Sequence, residues 1–344
     1  MNTKMNILAG IALATAIAVP SIASAEVIFL PSSYTSNLWS GSELMSARSA
    51  PTDAPTFQTR IEEITHALEN NPHFKNLNQQ QRLDRVEFTV DNTLFRLLHE
   101  MGHVLINELK LPILSREEDA ADTYAALEML KLGSSFSLRV LYNAANGWFL
   151  SDWRDQQTAE EPLYYDEHDL NQQRAYRIVC LMVGSDSRFE NLADITRMPK
   201  ARQQSCKRDY AEASSSWAEV LKHHMRLPED PETKIDVIYG DGKGNFDGWA
   251  QSFRALRLME AVAERTKADF ALPAPLKLEM QSCGRPGTFF ETDTRTVTLC
   301  YEQAFDFGQL YLAYLQPRPP AAQLTPVKSH VIPMRTFAIA HGKR

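Results

Sequence analysis

The sequence predicts a helix-rich α+β fold. After residue 56, most stretches carry apolar residues at the three- and four-residue spacing of amphipathic helices, whereas strand-like alternation is confined to short stretches such as 86–90 and 296–299. The chain has 344 residues, of which 44% are hydrophobic and 23% charged, a composition typical of globular proteins. This length corresponds to about two domains of ordinary size, or to one large domain.

The first 25 residues have the features of a secretory signal peptide. Lys4 precedes a short apolar run at 7–19, and the Ala-Ser-Ala tripeptide at 23–25 is a cleavage signature. The run is shorter than the roughly 20 apolar residues of a transmembrane helix, although an uncleaved anchor is the alternative. We therefore expect an exported protein of the bacterial periplasm or medium, without a stable membrane span in its mature form.

Residues 57–316 carry the regular helix and strand signals, with a possible break between two subdomains near 230–247. Residues 26–56 are rich in Ser, Thr and Pro and are expected to form a lead-in of low order, and 317–344 a Pro-rich C-terminal tail. The predicted helices cover 57–72, 94–109, 115–133, 136–146, 170–184, 208–225, 248–267 and 301–315.

The stretch around residue 90 is predicted to change from strand to helix. Alternating apolar residues at 86–90 predict a half-buried strand, and Asn92 or Thr93 could cap the helix that follows. Pro112 ends this helix, and Ser115 then begins the next one.

Four cysteines remain in the expected mature chain. An even number in an exported protein predicts two disulfides, for which three pairings are possible. We favour Cys180–Cys206 and Cys283–Cys300 because each pair is local, and the second would close a hairpin whose turn lies at 284–287. Four buried free thiols are the alternative. Because the chain has no C-x-x-C motif, a cysteine zinc site is not expected.

Residues 99–103 form an H-E-x-x-H motif within a stretch that is predicted to be helical. His99 and His103 are four residues apart, so both imidazoles project from one helix face and can reach one zinc ion. Glu100 can project towards a metal-activated water and act as its general base. The alternative is a pair of structural histidines on a half-buried helix.

A catalytic zinc ion needs a third protein ligand and an open position. Glu118 and Asp122 are four residues apart on the next predicted helix, so they share a face. Glu118 could supply the third ligand, and Asp122 could orient one histidine through its other ring nitrogen. Glu117 is the neighbouring alternative. Glu118 could instead complete a capping box with Ser115.

These residues resemble a known family. The His-Glu-Met-Gly-His motif, Leu-Pro at 111–112 and Arg-Glu-Glu-Asp-Ala-Ala-Asp at 116–122 are similar to a bacterial family of putative metallopeptidases, catalogued as a domain of unknown function. More broadly they resemble zincin peptidases, in which a Glu on the next helix completes a two-histidine site. The resemblance extends over about 90–302 and implies a zincin-like, zinc-dependent hydrolase, while indicating little about the substrate.

The leading hypothesis is an exported metallopeptidase with one Zn²⁺ per chain, bound by His99, His103 and Glu118, that acts on peptides or proteins. His168 is the candidate group that stabilises the oxyanion, with Arg174 behind it. The alternatives are a non-catalytic, zinc-stabilised binding or scaffold protein of the envelope, and a metal-free, disulfide-stabilised helical protein. The net charge of -7 and the absence of a basic stripe argue against a nucleic-acid partner. The oligomeric state is left open.

Overall fold

The computed structural model describes residues 57–158 and 161–316, and within them it contains ten α-helices and one four-stranded mixed sheet. This confirms the helix-rich α+β class. The predicted signal peptide, the lead-in at 26–56 and the tail at 317–344 lie outside the described residues, and the break near 230–247 stays a prediction. The helices are α1 (Phe57–Ala67), α2 (Gln79–Glu108), α3 (Glu117–Leu132), α4 (Ser135–Thr158), α5 (Asn171–Ser185), α6 (Glu190–Ile195), α7 (Lys200–Leu221), α8 (Asp247–Leu256), α9 (Leu258–Asp269) and α10 (Tyr301–Leu315).

Helix α2 is the longest described helix, with 30 residues. It begins after Asn78, whose side chain accepts from the Gln81 N–H while the Gln81 side chain accepts from the Asn78 N–H, which is a capping box. The predicted strand at 86–90 is therefore wrong. Apolar alternation misleads there because α2 is buried on several faces: even Thr89, between two apolar positions, is fully buried. Its periodicity is consequently lost.

The predicted caps of α2 and α3 are also wrong. Asn92 and Thr93 lie inside α2, where their side chains donate to main-chain carbonyls one turn earlier. Helix α3 begins after Arg116, which makes no side-chain capping bond, so Ser115 does not cap it. Gly133 ends α3 in the left-handed conformation, with φ of 60°, as is usual after a helix C-terminus.

Helices α2 and α3 approach each other closely at small residues. A Cβ atom placed on Gly102 would lie 2.9 Å from the Cα of Ala121, closer than two carbon atoms can pack. Ala121, Ala125 and Ala126 are fully buried, as expected from their small size. This contact brings the first turn of α3 alongside the H-E-x-x-H segment of α2.

The sheet comprises β1 (Ile235–Tyr239), β2 (Leu276–Gln281), β3 (Thr288–Glu291) and β4 (Thr296–Cys300), in the order β1-β2-β4-β3. β1 and β2, and β2 and β4, pair in parallel, whereas β3 and β4 form an antiparallel hairpin, as predicted. Its turn lies at 292–295, so the predicted turn at 284–287 is wrong: that segment leads into β3. β3 is an edge strand, and Thr288 at its start accepts a hydrogen bond from Arg96 of α2. The hairpin therefore packs beside the helix that carries the motif.

Both predicted cysteine pairs are at disulfide distance. The Sγ atoms are 2.06 Å apart in Cys180–Cys206, which links α5 to α7, and 2.09 Å apart in Cys283–Cys300, which closes the hairpin region. Among the described residues, no helix combines the length and the apolar character that crossing a membrane requires.

Most of the remaining helix predictions are confirmed, with shifted ends. The helix at 301–315 has the predicted bounds, whereas α4 continues to Thr158 and α7 begins earlier, at Lys200. The predicted helix at 248–267 is two helices, because Arg257 adopts a left-handed conformation with φ of 55° between α8 and α9. A positive φ at a non-glycine residue gives no signal in hydrophobic periodicity, so the sequence did not predict this break.

Candidate metal centre

Helices α2 and α3 bring three predicted ligands together. His99 and His103 lie one turn apart on α2, with their Nε2 atoms 3.2 Å apart. The Oε2 atom of Glu118, in the first turn of α3, lies 3.0 Å from Nε2 of His99 and 3.4 Å from Nε2 of His103. The four-residue spacing places the two histidines on one face of α2, and the close α2–α3 contact places the Glu118 carboxylate beside them.

The spacing of these three atoms fits a tetrahedral metal ion. Two ligands held at about 2.0–2.1 Å from zinc in tetrahedral geometry lie about 3.3 Å apart, close to the three observed distances. Glu118 Oε2 is also buried and faces a third ring nitrogen, since His168 Nε2 lies 2.8 Å from it. A buried carboxylate oxygen among ring nitrogens is stabilised by positive charge, which a metal ion or a protonated imidazole can supply.

The other nitrogen of each histidine explains why Nε2 faces the cluster. His99 Nδ1 lies 2.8 Å from Asp122 Oδ1, and His103 Nδ1 lies 2.8 Å from Glu117 Oε1. A carboxylate only accepts, so each Nδ1 carries a proton that it donates, and this hydrogen bond turns each Nε2 towards the cluster. The structure thus places Glu118, rather than Glu117, between the two Nε2 atoms.

Asp122 is fixed by a second partner. Arg174 of α5 donates two hydrogen bonds of 2.7 Å to the two oxygens of Asp122, and its guanidinium lies 3.7 Å from the centre of the Trp148 ring. Burial raises the pKa of Asp122, but Arg174 and His99 outweigh burial and hold that pKa well below its usual range. Asp122 is therefore a buried anion that orients His99. Arg174 supports Asp122 and not His168, which corrects the sequence prediction.

His168 approaches the cluster from the loop before α5. Its Nε2 lies 2.8 Å from Glu118 Oε2, and the ligand atoms of His99, Glu118 and His168 all lie within 4.8 Å of one another. Its Nδ1 lies 3.2 Å from Asp166 Oδ1, which also accepts the His168 N–H at 2.8 Å. The His168 side chain is 38% exposed, against 2% for His99. It is the most accessible of the three histidines.

The electrostatics of the cluster favour a cation. Burial opposes the charge of Glu118, but its contacts with His103, His168 and His99 outweigh burial and hold its pKa well below the usual range. Burial favours the neutral form of His103, whereas Glu118 and Glu117 raise its pKa to about 9. The carboxylates therefore attract positive charge to the point where the nitrogens converge.

A cleft of about 840 Å³ opens beside the cluster. Glu100 lines the cleft and is buried, and no hydrogen bond from the described residues occupies its carboxylate. The histidines and acids of the cluster line one side of the cleft, and residues of the β3 hairpin line another. The hairpin residues are Thr288, Phe289, Phe290 and Thr292.

Sequence reasoning missed three partners of the predicted site residues. The three are Glu117, which pairs with His103; Asp166, which pairs with His168; and Arg174, which pairs with Asp122 rather than supporting His168. Asp166 had a usable signal, because an Asp two residues before a His readily accepts that residue's N–H in an Asx turn. The Arg174–Asp122 pair spans 52 residues of sequence and had no local signal.

Comparison with known proteins gives one result. A family model described as "Putative metallopeptidase" matches residues 57–221 and 245–341, which is most of the chain. No curated protein and no solved structure is similar enough to match. The matched residues include the whole cluster on α2 and α3 and both halves of the cleft.

Proposed function

The chain belongs to the family of putative metallopeptidases, and from this premise we propose that it is an exported zinc-dependent peptidase whose active site is the cleft beside α2. The observation that carries the proposal is the convergence of two Nε2 atoms and the buried Glu118 Oε2 at tetrahedral spacing. The two cysteine pairs at disulfide distance fit an exported protein. The substrates are peptides or proteins.

His99, His103 and Glu118 would hold the ion, and these donors suit zinc because a catalytic zinc site has three N or O protein ligands and an open position. Zinc bound there supplies Lewis acidity, which ionises water near neutral pH and polarises a carbonyl group. The three side chains come from helices and are at most 19% exposed. His168 is on a loop and more exposed, so we assign it to the substrate side of the site.

Glu100 performs the proton transfers. Its carboxylate lines the cleft, next in sequence to His99, and no hydrogen bond from the described residues competes for it. It takes the proton from the attacking water and then passes that proton to the leaving amine. With a proton on each ring nitrogen, His168 would donate from Nε2 to the carbonyl oxygen as that oxygen becomes negative, while its Nδ1 donates to Asp166.

The test is zinc stoichiometry and peptide hydrolysis of the exported, processed protein. We expect one zinc ion per chain in the wild type and in Glu100→Gln, with hydrolysis lost only in the variant, because Gln cannot accept the proton. Glu118→Ala should lose zinc. Glu128→Ala is the matched control, since Glu128 is on the same helix and pairs with Lys131 and Arg265.

Other outcomes would contradict the proposal at different points. Hydrolysis that survives in Glu100→Gln would exclude the mechanism. Zinc binding without hydrolysis of any peptide would favour the binding or scaffold protein, and absence of zinc after reconstitution would favour a purely structural role of the two histidines.

A further inference from the structure

Arg96 is a half-buried cation in the cleft that the proposed chemistry does not use. It lies on α2, four residues before Glu100 and three before His99, so it projects on the same side of the helix as the motif. Its side chain lines the same cleft as His99, Glu100 and His168. Arg96 is therefore within the space that a substrate would occupy.

The guanidinium of Arg96 lacks acceptors. Its Nε donates to Thr288 Oγ1 at 3.1 Å, but Nη1 is buried and has no hydrogen-bond partner among the described residues. No carboxylate of the described residues forms an ion pair with it. A guanidinium carries five N–H donors, and one that is removed from water is costly unless an anion accepts them.

Two neighbouring arginines, unlike Arg96, have carboxylate partners. Arg174, which contacts the same Trp148 ring as Arg96, forms two hydrogen bonds to Asp122. Arg116, the other arginine that lines the cleft, pairs with Asp119 and Asp169. Of the two arginines that line the described cleft, Arg96 is therefore the one without a carboxylate partner.

The electrostatic surroundings agree with this shortage. Burial and the positive charge of Arg174 lower the pKa of Arg96, while Glu100, Asp122 and Glu118 act in the opposite direction through space. Among the described residues, none of these three carboxylates forms a hydrogen bond or an ion pair with Arg96. Arg96 Nη1 therefore lacks an acceptor at contact distance.

We propose that Arg96 binds a carboxylate of the substrate, so that the cleft selects peptides with a negative group beside the scissile bond. The choice of substrate rests on the proposed peptidase function, whereas the carboxylate site itself does not. A planar guanidinium binds a carboxylate through two parallel hydrogen bonds, and Nη1 is available for one of them. The carboxylate is either the C-terminus of the peptide or an acidic side chain.

The cleft wall beside Arg96 fits an extended peptide with this anchor. Thr288 holds the Arg96 Nε, and Phe289 and Phe290 of the same edge strand line the cleft. Their rings offer apolar surface next to the charge, as is usual where a few polar groups fix the orientation of a ligand. N-acetyl-phenylalanine, with an aromatic ring and a free carboxylate, is therefore a suitable probe.

The experiment measures probe binding by titration calorimetry, with and without zinc. The probes are N-acetyl-phenylalanine, its carboxamide, and the α-carboxamide of N-acetyl-glutamic acid, which carries the charge on its side chain. We expect a free carboxylate to bind about 10- to 100-fold more tightly than the carboxamide, as is usual for hydrogen bonds to charged groups. The tighter of the two acidic probes identifies the source of the carboxylate.

Three variants decide whether Arg96 is responsible. Arg96→Gln should abolish the discrimination in both zinc states, Arg96→Lys should retain part of it because Lys keeps the charge without the fork, and Arg116→Gln should leave it intact. Thermal unfolding of each variant checks the fold. Discrimination that survives in Arg96→Gln, or is absent from the wild type, would overturn the proposal.

The outcomes also separate this proposal from the peptidase function. Arg96-dependent discrimination in the zinc-free protein cannot come from a carboxylate binding to zinc. If that discrimination is present but no peptide is hydrolysed, the carboxylate site stands and the peptidase proposal fails. If peptides are hydrolysed but the wild type binds acid and amide probes equally, the carboxylate site is excluded.

Discussion

Gly102 is the position where a single methyl group should separate the two halves of the proposed metal site. It lies between the ligands of α2 and faces Ala121, which is three residues after Glu118 on α3. A Cβ atom at this position would meet the Ala121 Cα at 2.9 Å and its Cβ at 3.2 Å. Both are rigid parts of a packed helix, so α3 must retreat to accommodate Gly102→Ala.

The size of the retreat follows from ordinary carbon contacts. Carbon atoms pack at about 3.5–4.0 Å, so α3 must move by about 0.6–1.1 Å from the 2.9 Å contact. Glu118 moves with α3, away from nitrogens at 3.0 and 3.4 Å. A misplacement of about 1 Å costs about 100-fold in rate. Overpacking costs about 1–3 kcal/mol of stability, partly offset by about 1 kcal/mol of helix propensity gained over Gly.

The assay is zinc affinity by competition with a chromogenic chelator, together with peptide hydrolysis and chemical denaturation of the zinc-free protein. We expect zinc affinity to fall at least about 10-fold, which is the loss seen when a ligand's support is removed. Gly248→Ala is the matched control, since its nearest neighbour is the flexible end of Leu68, 3.0 Å away and just after α1. Unchanged zinc affinity in a folded Gly102→Ala protein would refute the argument that the α2–α3 contact sets the site.

Three further predictions concern the support of the site and the fold. Asp122→Asn should lower zinc affinity about 10- to 100-fold, and should cost about 3–5 kcal/mol of unfolding free energy because Arg174 loses its buried partner; chelator competition and urea denaturation measure the two effects. Where free zinc is present at about 100 times its dissociation constant, removing it should lower the free energy of unfolding by about 2.7 kcal/mol. The loss should appear as a lower Tm that added zinc restores and added magnesium does not. Replacing Cys283 and Cys300 by Ser opens a loop with a sequence separation of 17 and should lower the free energy of unfolding by about 3 kcal/mol under oxidising conditions. Under reducing conditions, denaturation of the variant and of the wild type should give the same free energy of unfolding.

The parts of the site that the sequence predicted are those set by local geometry. His99 and His103 converge because i and i+4 positions share a helix face, and that geometry needs no knowledge of the fold. Glu118 and Asp122 follow the same rule on α3, so the contacts of Asp122 with His99 could be anticipated once the two helices were assumed to pack. The local disulfide pairs were predictable for a similar reason, since short separations favour pairing.

The parts that the sequence did not predict depend on burial and on long-range packing. The strand predicted at 86–90 failed because α2 is covered on several faces, so its apolar residues do not show a helical period. Ser115 fits the capping-box pattern, but α3 starts at Glu117, which leaves the carboxylate of Glu118 directed at the histidines. Arg96 and Arg174 are indistinguishable in sequence, and only the fold pairs one of them with an acid.

The arrangement implies that the site is largely organised before a metal binds. Asp122, Glu117 and Asp166 each hold the Nδ1 of one histidine, so the orientation of all three rings depends on carboxylates rather than on the ion. The ligand helices are also packed within a continuous hydrophobic core that includes residues of the sheet. In small zinc domains the free energy of metal binding is the free energy of folding, whereas here the ligand helices belong to a large core that contributes its own folding free energy. Zinc should therefore bind to a folded chain, and the main cost of its removal should be the uncompensated charge of Glu118.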